Sequence, residues 1–329
     1  MRIHSKLAGA AAAVLVVAGI HSGTASAQGY PSKPIRIVVP FAAGGPADIT
    51  ARTIGPRMTE LLGPPVIVDD RGGANGVIGA EVVIKSPADG YTLLMSTSSI
   101  TSINMVTYGD KPPYDTLRDL QPLTPVMFTT SLIVVHPSIP AKTLKEFVAL
   151  AKSRPNQITF GSAGNGGTLH FGLELLMREA NVKITHVPFK GAGPAVTDLI
   201  GGQINGMFVD LPVISPYVKS GKVRALAVTS RERSQYFPDI PTTKEAGYPG
   251  VEMTNCYGLL LPAKTPREIV AKLHDTIVKT VATQSVRDNF MRVGADPQTM
   301  SIDDFTRFIK ADIEKWGKLA KAAHIVIER

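Results

Sequence analysis

Short apolar runs alternate with segments of helical period along most of this chain, which restricts it to a sheet layered with helices. The expected strands are Ile35–Val39, Val66–Val68, Tyr91–Met95, Leu132–Val135, Ile158–Phe160, Ile184–Val187, Met207–Val209, Ala225–Val228 and Tyr257–Leu261. Near-continuous apolar strands joined by helical crossovers make a parallel sheet covered on both faces. The expected crossover helices are Pro46–Leu62, Asn75–Lys85, Leu144–Ser153, Thr168–Ala180, Pro194–Ile200 and Ser215–Ser220. The carboxyl end is helical in pattern over Pro266–Thr283, Ser285–Val293 and Ser301–Ala322, with Ser301 and Asp304 placed for a capping-box start. The class is α/β.

The first 27 residues read differently. Arg2 and Lys6 precede the apolar run Leu7–Ile20, and Ala25-Ser26-Ala27 has the form of a cleavage site. This is the pattern of a secretory signal peptide, too short for a membrane span. Its removal leaves 33 basic and 27 acidic residues, a net +6 against +8 for the whole chain. No later apolar run approaches the roughly 18 residues that cross a bilayer, so the product is expected to be soluble and exported. A single cysteine, Cys256, excludes a disulfide framework and a Cys-rich zinc module, and an oxidising compartment favours its burial. The basic residues are scattered without interleaved aromatics, which removes the nucleic-acid signature and leaves attraction of small anions.

One pattern occurs twice. Val38-Val39 leads into Pro40-Phe41-Ala42-Ala43-Gly44-Gly45-Pro46-Ala47-Asp48, and Thr159-Phe160 leads into Gly161-Ser162-Ala163-Gly164-Asn165-Gly166-Gly167-Thr168-Leu169-His170. Each is a strand, a loop ending in Gly-Gly, and a helix, so two similar lobes with a ligand cleft between them are expected. Glycines leave backbone N–H groups unshielded, and the following helix adds its own free N–H groups and positive dipole end. Phosphate and carboxylate both suit such a site, as does a plain tight turn. No G-x-x-x-x-G-K-[ST] occurs, and Leu169 stands where a dinucleotide loop needs a small residue. Ser96–Ser99, Arg71–Gly76 and Pro188–Gly193 are expected as loops at the same carboxyl ends of strands, where ligands of open α/β sheets bind.

Catalytic constellations are poor: there is no G-x-S-x-G, no H-E-x-x-H and no His–Cys metal spacing. His136, His186, His274 and His324 sit singly and read as structural or surface residues. His170 reads as packing a helix start, and Asp48 as capping its own helix. Asp210 ends a strand, placed either to receive a ligand ammonium or hydroxyl or to cap the turn before Pro212. No catalytic residue, metal or cofactor is expected.

At these residues the chain resembles the Bug family, the extracytoplasmic substrate-binding receptors of tripartite tricarboxylate transporters. The resemblance is carried by Tyr30-Pro31-Ser32-Lys33-Pro34-Ile35-Arg36, the Pro40–Asp48 loop, Ala88-Asp89-Gly90-Tyr91-Thr92-Leu93-Leu94, Gly161-Ser162-Ala163-Gly164 with Thr168 and His170, and Pro188-Phe189-Lys190-Gly191. Pro194-Ala195, Asp198-Leu199, Ala225–Val228, Pro241-Thr242 and Glu245-Ala246-Gly247 continue it, so it spans essentially the whole mature chain. It implies a two-lobed periplasmic-binding fold of the second type, a Venus flytrap, each lobe a mainly parallel sheet flanked by helices. Lobe 1 would hold 28–127 with 253–329, and lobe 2 would hold 128–252, with two crossings as hinge. It implies ligand-binding roles for Phe41, Ala42, Gly44, Ser162, Ala163, Asn165, Gly166 and Thr168, with Ser99, Lys190 and Asp210 in second rank. The chain departs from the family at Cys256, where a Trp is usual, at Asp70-Arg71-Gly72-Gly73, and at Asn75, where a glycine is usual. A smaller residue at 256 is placed either to reshape a cavity or to repack without effect.

The expectation is a monomeric, non-catalytic periplasmic receptor that captures a small organic anion and presents it to membrane permease subunits, with no nucleic acid as partner. The alternatives are an exported hydrolase acting on a carboxylate or ester in the same cleft, and a receptor for a signalling partner. Dicarboxylate, tricarboxylate, aromatic carboxylate and amino acid all stay open as the ligand: Phe41 and Phe189 favour an aromatic or hydrophobic acid, and Asp210 facing the cleft favours an amino or hydroxy acid.

Overall fold

The computed structural model describes residues 29–109 and 111–322. The expected signal peptide, residues 1–27, lies outside the described residues, as does His324. The first half of the fold begins β1 (Ile35–Val39), α1 (Pro46–Leu62), β2 (Val66–Asp70), α2 (Val77–Ile84) and β3 (Thr92–Thr97). A π-type turn over Ser99–Ile103 and two short helices, α3 (Asn104–Thr107) and α4 (Thr116–Asp119), lead to β4 (Leu120–Val135). Then follow α5 (Leu144–Ser153), β5 (Thr159–Ser162), α6 (Thr168–Ala180), β6 (Thr185–Pro188), α7 (Ala192–Ile200), β7 (Gly206–Asp210), α8 (Leu211–Lys219) and β8 (Arg224–Val228). The chain closes with β9 (Thr254–Pro262), α9 (Arg267–Ala282), α10 (Gln284–Val293), β10 (Asp296–Pro297) and α11 (Ile302–Ala322).

The strands lie in the order β2-β1-β3-β9-β4-β7-β5-β6, with β8 and β10 also on β4. The triads β2-β1-β3 and β6-β5-β7 are parallel, as right-handed βαβ crossovers require. Every antiparallel pairing involves β4 or β9. β4 belongs to both halves: Leu120–Thr130 pair with β9, and Ser131–Val135 pair with β7 and β8. The result is the α/β class that the alternation predicts, in the two-lobed form that the repeated glycine loop and the family resemblance imply.

β4 corrects the expected short strand Leu132–Val135. Pro122 and Pro125 lie inside this longer strand, and the register against β9 shifts beside each of them. A bulge is where a strand tolerates proline, because the missing N–H then has no ladder partner to lose. α8 also starts earlier than the expected Ser215, at Leu211, with Pro212 in its first turn where an N–H would be unpaired anyway. Ser96 and Thr97 belong to β3, and Ser99 opens the π-type turn, in place of the expected loop.

In the second lobe both faces of the sheet are buried. Ile133, Val135, Phe160 and Phe208 join Phe147 and Phe171 on one face, while Leu132, Val134, Met207 and Val209 meet Val196, Leu199 and Ile214 on the other. This is the period-2 alternation of a strand with apolar residues on both sides. The carboxyl-terminal α11 reaches the first of these clusters through Trp316, whose ring meets Phe171 edge-on at 5.2 Å.

Candidate functional site

The glycine loops lie together at the carboxyl ends of the parallel strands. After β1, the loop before α1 touches the loop before α7: the Ala42 N–H donates to the Lys190 carbonyl at 2.9 Å. A Cβ on Gly193 would lie 2.5 Å from the Ala43 carbonyl oxygen, and one on Gly191 would lie 2.9 Å from the Ala42 nitrogen. The two backbones approach so closely that only glycine fits between them. Lower in the cleft, the Thr168 N–H donates to Ser99 Oγ at 2.9 Å, and the two hydroxyls also meet at 2.9 Å. The first turn of α6 is thus held by a residue following β3.

Two connected chambers lie behind these contacts. The inner one is tight, about 30 Å³, room for about two water-sized groups or one carboxyl group. The first turns of three helices border it: Pro46 and Ala47 of α1, Thr168 and Leu169 of α6, and Ala192 of α7. Helix N-termini present unpaired N–H groups and positive dipole ends. Two buried polar atoms on its wall, Thr97 Oγ1 and Asn255 Oδ1, have no partner among the described residues. The outer chamber has a volume of about 450 Å³ and is bordered by Phe41, Tyr108, Pro188, Phe189 and Lys190.

Asp210 lies against the inner chamber and is fully buried, but its hydrogen bonds are spent within the protein. Ser131 Oγ and Asn255 Nδ2 donate to Oδ1, the latter at 2.7 Å, and the Tyr257 hydroxyl donates to Oδ2. Burial pushes the carboxyl up from its ordinary value, while the three donors pull it back. Asp210 stands at the N-cap position of α8 without a capping hydrogen bond, so it does not cap the turn before Pro212. Asp48 is likewise no cap of its own helix: its Oδ2 reaches back to the Gly44 N–H at 2.9 Å, and its other oxygen pairs with Arg52.

The sequence-predicted residues divide by place. Ser99, Thr168 and Asp210 border the inner chamber; Asn165, Gly166 and Lys190 border the outer one; Phe41 and Ala163 border both. Ala42 and Gly44 border neither, since their N–H groups go to Lys190 and Asp48. Ser162 sits behind the loop, its Oγ 2.6 Å from His186 Nε2 and accepting from the Gly164 N–H at 3.2 Å.

His186 is therefore not single. It stacks on His170 with ring centroids 3.6 Å apart. His170 Nδ1 accepts from the Gly166 N–H at 3.0 Å, which puts its proton on Nε2, facing Glu174 at 3.3 Å. Burial, then the neighbouring His170, depresses His186 to about 3. Cys256 is buried, as expected, but alternation along β9 turns Asn255 and Tyr257 to the chamber and leaves Cys256 off it, so it reshapes neither chamber.

Sequence reasoning missed Thr97, Asn255 and Tyr257 as chamber residues. Thr97 lay inside the serine run already singled out, and Asn255 and Tyr257 flank Cys256 at the spacing of one strand face. Among the described residues no group of three or more His, Cys, Asp or Glu is placed to hold a metal, and no helix is long and apolar enough to cross a membrane.

The family model described as "Tripartite tricarboxylate transporter family receptor" matches residues 50–325. Protein BugT of Bordetella pertussis is 34% identical over 314 residues, covering 94% of this chain and 96% of that protein. Among solved structures, R. palustris Rpa4515 with adipate superposes with a TM-score of 0.86 at 34% identity, covering 90% of this chain and 99% of that one. The periplasmic binding protein BugD superposes with a TM-score of 0.87 at 31% identity, covering 91% and 100%.

Proposed function

The chain belongs to the tripartite tricarboxylate transporter receptor family, and from that premise we propose that it is a periplasmic receptor which closes on a small carboxylate and delivers it to membrane permease subunits. The inner chamber carries the reading. Three helix N-termini meet there and turn their positive dipole ends toward an anion. Thr97 Oγ1 supplies a hydroxyl with no other partner, and burial, which disfavours a charge on Asp210, lessens the repulsion that its carboxyl would exert on an anion. The structural neighbour with adipate supports a carboxylate as the bound class.

We assign residues 28–127 with 253–329 to one lobe and 128–252 to the other. In support, β4 changes partners between Thr130 and Ser131, and Thr229 ties both crossings together: its Oγ1 accepts from the Ser131 N–H and donates to the Met253 carbonyl. Phe41, Ala163, Ser99 and Thr168 would meet the ligand directly, Asn165, Gly166 and Lys190 its outer part, while Ala42, Gly44 and Ser162 would shape the loops. The protein acts as a single copy, exported through its first 27 residues, and performs no chemistry. Of the two close serine–histidine pairs among the described residues, Ser162 with His186 has its oxygen turned to its own loop, and His136 with Ser138 is exposed.

Thermal melting against a panel of carboxylates and their neutral amides tests this. Binding to the folded state alone adds about 2.7 kcal/mol at a hundredfold excess over Kd. Acids should raise the melting point and the matching amides should not. Equal shifts with acid and amide, or none with any acid, would overturn the carboxylate anchor.

A further inference from the structure

We propose that Asn75 selects the ligand, favouring acids that carry a hydroxyl on the carbon next to the anchored carboxyl group over the same acids without it. This rests on the carboxylate reading above and adds the chemistry of the passage between the chambers. Phe41, Asn75, Ala163 and Gly164 border both chambers, and Asn75 alone of the four has a polar side chain.

A chain of hydrogen bonds sets which end of its amide faces that passage. The Tyr114 hydroxyl donates to the Ile100 carbonyl at 2.8 Å, so its oxygen accepts from Asn104 Nδ2 at 3.1 Å. The same Nδ2 reaches the Asn75 backbone carbonyl at 3.4 Å, which leaves Asn104 Oδ1 to accept from Asn75 Nδ2 at 2.8 Å. Asn75 Oδ1 is then turned toward the opposite loop: a Cβ on Gly167 would lie 2.4 Å from it, and one on Gly164 would lie 3.2 Å away.

The backbone here is costly. Ala74 and Asn75 are both left-handed, with φ of 47° and 50°. Glycine adopts this region freely and asparagine more readily than most residues, so the turn itself is best served by glycine. Asparagine at 75 adds an acceptor at the price of that strain, and strain held by its surroundings gathers at binding sites.

When a carboxyl group fills the inner chamber, the adjoining carbon lies in the passage beside Asn75. Closure strips water from Oδ1. A hydroxyl on that carbon restores the lost hydrogen bond, whereas a methylene leaves the carbonyl unpaired. An ammonium also donates, but it needs a counter-charge, and the acid bordering the chambers, Asp210, is already held by Ser131, Asn255 and Tyr257.

Calorimetric titration of the purified protein with mandelate against phenylacetate, and malate against succinate, tests the proposal, with 2-phenylglycine as the amino analogue. The hydroxy acid should bind tighter by roughly 10- to 100-fold, the cost of leaving one acceptor unmet. Asn75→Gly suits the turn, so its ligand-free melting point checks that it folds, and in it the preference should fall to near parity. Acids that bind without a hydroxyl preference, a preference that survives Asn75→Gly, or 2-phenylglycine binding tighter than mandelate would each overturn the proposal and leave the carboxylate anchor standing. Failure of every acid to bind would overturn the anchor, and this inference with it.

Discussion

The stacked pair of His170 and His186 sits behind the loop that faces the ligand, where the Gly166 N–H donates to His170 Nδ1. His186 titrates near 3 in the fold and near 6.5 when unfolded. A base with a depressed folded pKa contributes stability that is present above the unfolded value and lost as pH falls through the window toward about 3. The melting point should therefore decline from pH 6.5 downward, and His186→Gln should make that decline shallower. A slope unchanged by the substitution would count against this account. Asp210 has the opposite sign, since its raised pKa makes the fold gain stability as pH falls toward the ordinary carboxylate value. At this scale the sequence was a partial guide. The two glycine loops were legible from their spacing, and with them the neighbourhood of Phe41, Ala163 and Thr168. Which N–H groups stay open was not, because Ala42 is occupied by Lys190, from a loop far along the chain, and His186 finds its neighbours on other elements.

Elements with a strong period were read to the residue: β1, α1, α5 and α6 begin and end where their apolar spacing does. α3 and α4 are too short to show a period, and β4 was hidden by its two prolines, which matter only against β9. The start of α11 shows a subtler difference. Ser301 Oγ accepts from the Asp304 N–H at 3.1 Å, as a cap should, but the Asp304 carboxylate takes the Ser301 hydroxyl and not its backbone N–H. The aspartate is one methylene shorter than the glutamate of the full box. Ser301→Ala should cost about 1 kcal/mol in a denaturant titration, the usual value of a lost N-cap. No loss would mean that burial of Phe305, Ile309 and Trp316 alone holds the helix.

Across the whole molecule, the proposed closure of the lobes rests on backbone meeting backbone where the loop before α7 touches the loop after β1. Gly193 lies in the first turn of α7, where a side chain is compatible with the helix but not with Ala43 opposite. Gly193→Val should hold the lobes apart, weaken acid binding by about tenfold or more, and abolish the ligand-induced shrinkage that small-angle scattering should detect in the unaltered protein. Shrinkage that persists would relocate the closing contact. The alternation of strands and helices foretold a helix-covered sheet and the repeated glycine loop foretold two lobes, but neither gave the order of the strands. β3 and β4 follow each other in sequence, yet β9 lies between them. A chain that emerges amino end first therefore carries a gap in its first sheet until residues 254–262 arrive. The stretch from β5 to β8, by contrast, finds its partners in itself and in β4. One half of the fold can then be complete while the other still lacks an interior strand, so the two halves face each other in finished form only once β9 has been made.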